Sequence, residues 1–244
     1  MRTSNPAISK RLFEKSYSHE LSGEMTVKGT INKSFLMLGL ILISGSLAWN
    51  AANAGASWIQ GALIGSAIVG FVLAIVTIFT PKIAHITAPL YALAEGVVLG
   101  AVSAMYNSFY DGIVLQAILL TVAVFLLMLL LYKTGTLKAT PAFRRGVLIA
   151  TGAVAVVYLF QWIAGMFGGS GIPMVNGSGF TGILFSLVIV GIAAFNFIID
   201  FDNITKGEEA GAPKRYEWYS AFALMITLVW LYLEVLRLLA KIRR

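Results

Sequence analysis

Five ionisable side chains stand within or at the edge of long apolar runs in this sequence: Glu95, Asp200, Asp202, Glu234 and Arg237. On a membrane helix such groups cost at least about 2.5–3.5 kcal/mol at the centre, and they persist where they are paired or line a hydrated cavity. The stretch GIAAFNFIIDFDNI, residues 191–204, holds two of them. Asn196 lies four residues before Asp200 and Asn203 three after it, so on a helix the three form one polar stripe. Asp202 falls about 200° round from Asp200 at 3.6 residues per turn, so the two aspartates are not a mutual pair on a regular helix. The stripe can bind a cation or exchange a proton, whereas Asp202 and Asn203 can equally be solvated residues of a helix end.

The last apolar run carries Thr227, Trp230, Glu234 and Arg237 at spacings of three, four and three, which places all of them on one helix face. That face can meet the Asp200 stripe, and Glu234 and Arg237 can also neutralise each other locally. Glu95 follows Tyr91 by four residues and is the only charge of its run. It is read either as a buried, hydrogen-bonded group or as part of an ion path. Carboxylate and amide oxygens form a hard donor set suited to Ca²⁺, Na⁺ or H⁺ rather than zinc, with Asp200 the metal-binding candidate. No nucleophile arrangement, phosphate-cradling glycine loop or HExxH motif is present, so a non-enzyme without a resident cofactor is expected. The absence of cysteine excludes thiolate and disulfide chemistry.

These residues need elements to position them. The 244 residues are 58% hydrophobic and 12% charged, against about 25% charged in soluble domains, and the mean hydropathy is +0.84. Seven apolar runs, at 34–51, 57–80, 89–106, 113–132, 147–167, 182–201 and 216–240, are long enough for crossing helices. They lack the alternation of a membrane barrel. The expected fold is an all-α membrane protein, a seven-transmembrane-helix bundle, with residues 1–33 a cytoplasmic N-terminal segment and 34–244 a single membrane domain. The lipid bilayer is then the first partner.

A net charge of +7 raises the question of nucleic acid, but the positions of the Lys and Arg residues answer it. Arg2, Lys10, Arg11, Lys15, Lys28 and Lys33 precede the first span, Lys82 is in the second connection, Lys133, Lys138, Arg144 and Arg145 are in the fourth, and Lys206, Lys214 and Arg215 are in the sixth. The odd connections have none. This positive-inside pattern assigns the N-terminus and the even connections to the cytoplasm and leaves no case for nucleic acid. Arg237, Lys241, Arg243 and Arg244 oppose the pattern, since seven crossings carry the C-terminus outside.

Smaller features are read structurally. Gly61 with Gly65 and Gly96 with Gly100 clear helix faces for internal packing. The loop 168–180 is a linker, and His85 is a loop residue between spans two and three.

The seven-span layout, FIIDFDNI, APLYALAEG and EWYSAFALMITLVWLYLEVLRLLAK resemble the Bax inhibitor-1 and YccA-like membrane proteins, and more closely their bacterial Bax inhibitor-1-like branch. The resemblance runs from about residue 25 to the end. It implies a bundle with a central last helix in a bacterial inner membrane. It also implies a pH-controlled passive path for Ca²⁺, gated by one aspartate ending span six and one in span seven. Asp200 matches the first. The second falls on Glu234 in one register and on Thr227 in the register that aligns Arg237, and depth favours Thr227. The paired-carboxylate switch is then incomplete, and the partner of Arg237 falls to Glu95 or Glu234. The reading from sequence is a pH-sensitive cation leak, with a non-transporting regulator of other membrane proteins or of a membrane protease as its rival.

Overall fold

A computed structural model describes residues 23–167 and 172–244. The basic residues Arg2, Lys10, Arg11 and Lys15 and the start of the fifth connection therefore lie outside the described residues. Seven helices are long and apolar enough to cross a membrane: α1 Val27–Asn53, α2 Ile59–Phe79, α3 Ala84–Phe109, α4 Ile113–Lys133, α5 Pro141–Met166, α6 Phe180–Glu209 and α7 Tyr216–Arg243. A 3₁₀ turn, Pro81–Ile83, precedes α3, and a single helical turn, Pro173–Asn176, precedes α6. Among the described residues the sole strand-like pairing is a bridge between Glu24 and Pro213. The molecule is an all-α bundle.

Several helices overrun the apolar stretches, because hydrophobicity marks what sits in hydrocarbon while helical hydrogen bonding continues until a cap or breaker stops it. Thr26 caps α1, accepting from the Gly29 amide at 2.8 Å, so α1 starts at Val27 rather than at residue 34. Thr140 caps α5 with Pro141 in its first turn, extending that helix back from residue 147. The α6 helix runs through Asp202 and Asn203 to Glu209 and ends at Gly211, whose φ of +61° suits a left-handed C-terminal cap. His85, expected in a loop, is exposed in the first turn of α3, and Pro89 lies inside that helix rather than at its start.

The α7 helix is central, packing against α1, α3, α4 and α6, whereas α2 and α5 are peripheral. Charged residues avoid lipid, so the helix that carries both Glu234 and Arg237 inside its apolar run takes the middle. Phe197 and Phe201 of α6 meet Phe125 of α4 at 5.2 and 5.7 Å between ring centroids, and Tyr91 of α3 meets Phe222 of α7 at 5.0 Å. The α1 and α3 backbones touch. A Cβ at Gly96 would lie 1.9 Å from Ser44 Oγ, and one at Gly100 would lie 2.1 Å from the Gly45 carbonyl oxygen. Gly61 and Gly65 differ, having open space where a Cβ would stand. The packing role read for Gly61 and Gly65 is therefore not realised among the described residues.

The ends of the bundle are tied. Met25 N–H donates to Ala212 O at 2.7 Å and Lys214 N–H to Gly23 O at 3.0 Å, fixing the entry to α1 against the α6–α7 connection. At the opposite end, buried Lys241 donates to Gly182 O at 3.1 Å, and Arg243 donates to Asp111 O at 2.7 Å and Gln116 Oε1 at 2.8 Å. Two of the C-terminal cations that oppose the charge pattern, Lys241 and Arg243, are thus held by oxygens at the end where α4 and α6 begin.

Candidate functional site

The α6–α7 contact carries one charged group at its centre. Half-buried Asp200 accepts, at Oδ2, a hydrogen bond of 2.6 Å from the Thr227 hydroxyl of α7. The same hydroxyl lies 3.3 Å from Ala223 O, but its single proton serves the shorter contact to a carboxylate. Asp200 Oδ1 has no hydrogen-bond partner among the described residues. One oxygen is held, and the other, without a hydrogen-bond partner among the described residues, can receive a cation or a proton.

The stripe expected around Asp200 divides. Asn196 stays beside it, donating from Nδ2 to Thr151 Oγ1 of α5 at 2.9 Å and to Ile192 O at 2.9 Å. Asn203 is instead exposed and accepts from Arg144 Nη1 at 2.8 Å. The same Arg144 guanidinium pairs with Asp202, which also takes Lys206 Nζ at 2.7 Å. The physical reason is the fork of Arg144, which can span two consecutive residues of α6 and draws Asn203 toward Asp202. Because α6 stays regular through this stretch, Asp202 does not join Asp200.

Glu234 lies seven residues beyond Thr227, about 10 Å further along α7, and belongs to a different cluster. It is 1% exposed. Tyr158 of α5 donates to both carboxylate oxygens at 2.8 and 2.9 Å, Trp230 Nε1 donates at 3.2 Å, and Arg237 Nη1 lies 3.1 Å from each oxygen. Arg237 also bonds the Tyr158 hydroxyl and sits 4.8 Å over its ring. The acid paired with Arg237 is therefore its own neighbour on α7. Glu95 lies elsewhere, half-buried in the α2–α3 contact, where Oε1 comes within 3.4 Å of the place a Cβ would take at Gly70. The structure thus joins Asp200 to Thr227, keeps Asn196 one turn before Asp200 on α6 with its amide bonded to Thr151, and separates from them Asp202 with Asn203, Glu234 with Arg237, and Glu95.

Sequence reasoning missed four contributors. Arg144 was counted only as a positive-inside charge, and Tyr158 and Thr151 are unremarkable in an apolar helix. Glu217 is 1% exposed, accepts from the Thr26 amide and hydroxyl at 3.0 Å each, and pairs with Lys33. In the sequence it stands beside the loop basic residues Lys214 and Arg215, and nothing local marks it as buried. One pattern was legible but unread: Ser220, Thr227, Glu234 and Lys241 recur every seven residues, a polar line along the whole of α7.

Among the described residues no group of three or more His, Cys, Asp or Glu side chains could hold a metal ion together. A cation at Asp200 would meet one carboxylate with hydroxyl and amide oxygens, a donor set for a passing ion. A seven-helix membrane bundle with a central polar last helix and an acid at the α6–α7 contact is the class these features define. The sequence pattern of the Bax inhibitor 1 like family matches residues 5–244, and the chain belongs to that family. No curated protein and no solved structure matches it.

Proposed function

We propose that this membrane protein is a pH-sensitive cation leak, with Ca²⁺ the ion its hard oxygen donors favour. The observation that carries this reading is the hydrogen bond from Thr227 to Asp200 across the α6–α7 contact. With Asp200 ionised, its free oxygen and the neighbouring Asn196 amide oxygen attract a cation near the basic end of the bundle. With Asp200 protonated, that attraction is lost, and the new O–H must find an acceptor, which changes how α6 packs on α7. The polar line of α7 offers a continuation toward the Glu234–Arg237 pair. Leu231, fully buried, lies between Thr227 and Glu234 on that line of α7. The resemblance to the bacterial branch supports a bacterial inner membrane, with the basic end cytoplasmic by the charge bias.

Flux of Ca²⁺, Na⁺ and H⁺ through the purified protein in liposomes, measured from acid to neutral pH, tests this. Asp200→Asn is expected to change the Ca²⁺ flux or abolish its response to pH. An unchanged profile would remove Asp200 from the mechanism. No flux from the pure protein, together with a co-purifying membrane partner, would replace the leak by the non-transporting regulator.

A further inference from the structure

Two adjoining cavities occupy the basic end of the bundle. The outer one, about 460 Å³, is lined by Tyr132, Lys133, Lys138, Thr140, Asp202 and Lys206, where α4, α5 and α6 end or begin. Lys133 and Lys138 are exposed and make no ion pair among the described residues. The one acid, Asp202, is already neutralised by Arg144 and Lys206, so the cavity is net positive. The start of α5 at Thr140 turns the positive end of a helix toward it.

The inner cavity, about 220 Å³, is apolar, lined by Ile31, Phe125, Leu129, Phe201, Ile204 and Leu224 from α1, α4, α6 and α7. Tyr132, Lys133 and Thr205 wall both cavities. The Tyr132 hydroxyl donates to Thr205 Oγ1 at 3.1 Å, so one hydrogen-bonded pair stands at the junction. From Lys133 to Phe125 along α4 the crevice descends about 12 Å into the membrane, at 1.5 Å per residue. Ile31, in its lining, is 46% exposed.

We infer that these two cavities form one binding site for an anionic phospholipid, its phosphate head among Lys133, Lys138 and Lys206 and an acyl chain in the crevice between α1 and α4. A soluble phosphate would use only the outer cavity. A neutral lipid would gain nothing from the lysines. Basic pockets between membrane helices at the cytoplasmic face recognise anionic headgroups by this charge complementarity. The inference does not rest on ion conduction.

The test uses the full chain in neutral phosphatidylcholine nanodiscs, with retained lipid counted by native mass spectrometry as phosphatidylglycerol is added. Preferential retention of phosphatidylglycerol is expected. Lys133→Gln with Lys138→Gln should weaken it about 25-fold, at about fivefold for each lysine near a membrane surface. Both lysines are exposed, so this variant should fold. Leu129→Trp should reduce lipid retention while leaving the direct affinity for glycerol phosphate unchanged. Equal retention of phosphatidylcholine, or an unaltered affinity in the lysine variant, overturns the site. Displacement of the lipid by glycerol phosphate at equal concentration overturns the acyl half and leaves only an anion cavity.

Discussion

Thr227 of α7 donates its hydroxyl proton to Asp200 of α6 at 2.6 Å, joining the central helix to the one membrane-embedded aspartate in contact with it. The bond is charge-assisted and short, and it leaves the other carboxylate oxygen free. Thr227→Val keeps the shape and removes the donor. It should cost about 1.5–3 kcal/mol, the range for hydrogen bonds to charged groups, and alter the pH profile of flux. Thr227→Ser should restore both, as read by thermal melting in detergent and by liposome flux.

The Glu234–Arg237 pair offers a second test. Removing only the acid, in Glu234→Ala, leaves Arg237 and Tyr158 without their acceptor. Arg237 keeps 35% of its side chain exposed, so the loss should sit near the lower end of the range for broken buried pairs, about 3 kcal/mol. The double variant Glu234→Leu with Arg237→Leu should recover most of that stability, and a double-mutant melting cycle measures the coupling.

The glycine pairs should respond in opposite directions. Gly96→Ala forces a methyl against Ser44 and the Ile41 backbone and should destabilise by about 1–3 kcal/mol, as overpacking does. Gly61→Ala meets open space and should gain about 0.5–1 kcal/mol from helix propensity. Melting temperatures of the two single variants decide the matter.

Glu217 ties the entry of α1 to the start of α7. Its side chain nearly fills the space beside Gly29, where a Cβ would lie 2.1 Å from Oε1. Glu217→Ala strands Lys33 and the Thr26 amide. Faster hydrogen exchange at the Met25 amide, now held by Ala212 at 2.7 Å, is the expected result, with Gly29→Ala producing the same change by displacing the carboxylate.

The chain has no cysteine, so single cysteines report topology cleanly. Cysteine placed at Arg244 should be labelled by an impermeant thiol reagent from one side of the membrane, and cysteine at Thr136 from the other. Labelling of both from one side would contradict the seven-crossing path.

Much of this architecture was legible in the amino-acid sequence. Apolar length marked seven spans, the scarcity of charge singled out Asp200, Asp202, Glu234, Arg237 and Glu95, and helical spacing showed that Asp200 and Asp202 point apart. Those inferences depend on local quantities: hydropathy over a window and angle along one helix. Which side chain answers another across the bundle depends on how each helix is rotated and how deep it sits, and distant residues decide that. Close backbone contact at Gly96 and Gly100 seats α3 on α1, and Glu95 faces Gly70 of α2, away from α7. Arg144 of α5 takes Asn203 out of the Asp200 stripe, and Tyr158 holds Glu234 one cluster beyond Thr227. Which residues must leave lipid follows from their identity alone, because burying a lone charge in hydrocarbon is costly wherever it occurs. Register and depth along the sequence favour Thr227 over Glu234 opposite Asp200, but the hydrogen bond that joins them exists only through the packing of α6 on α7, which distant residues set.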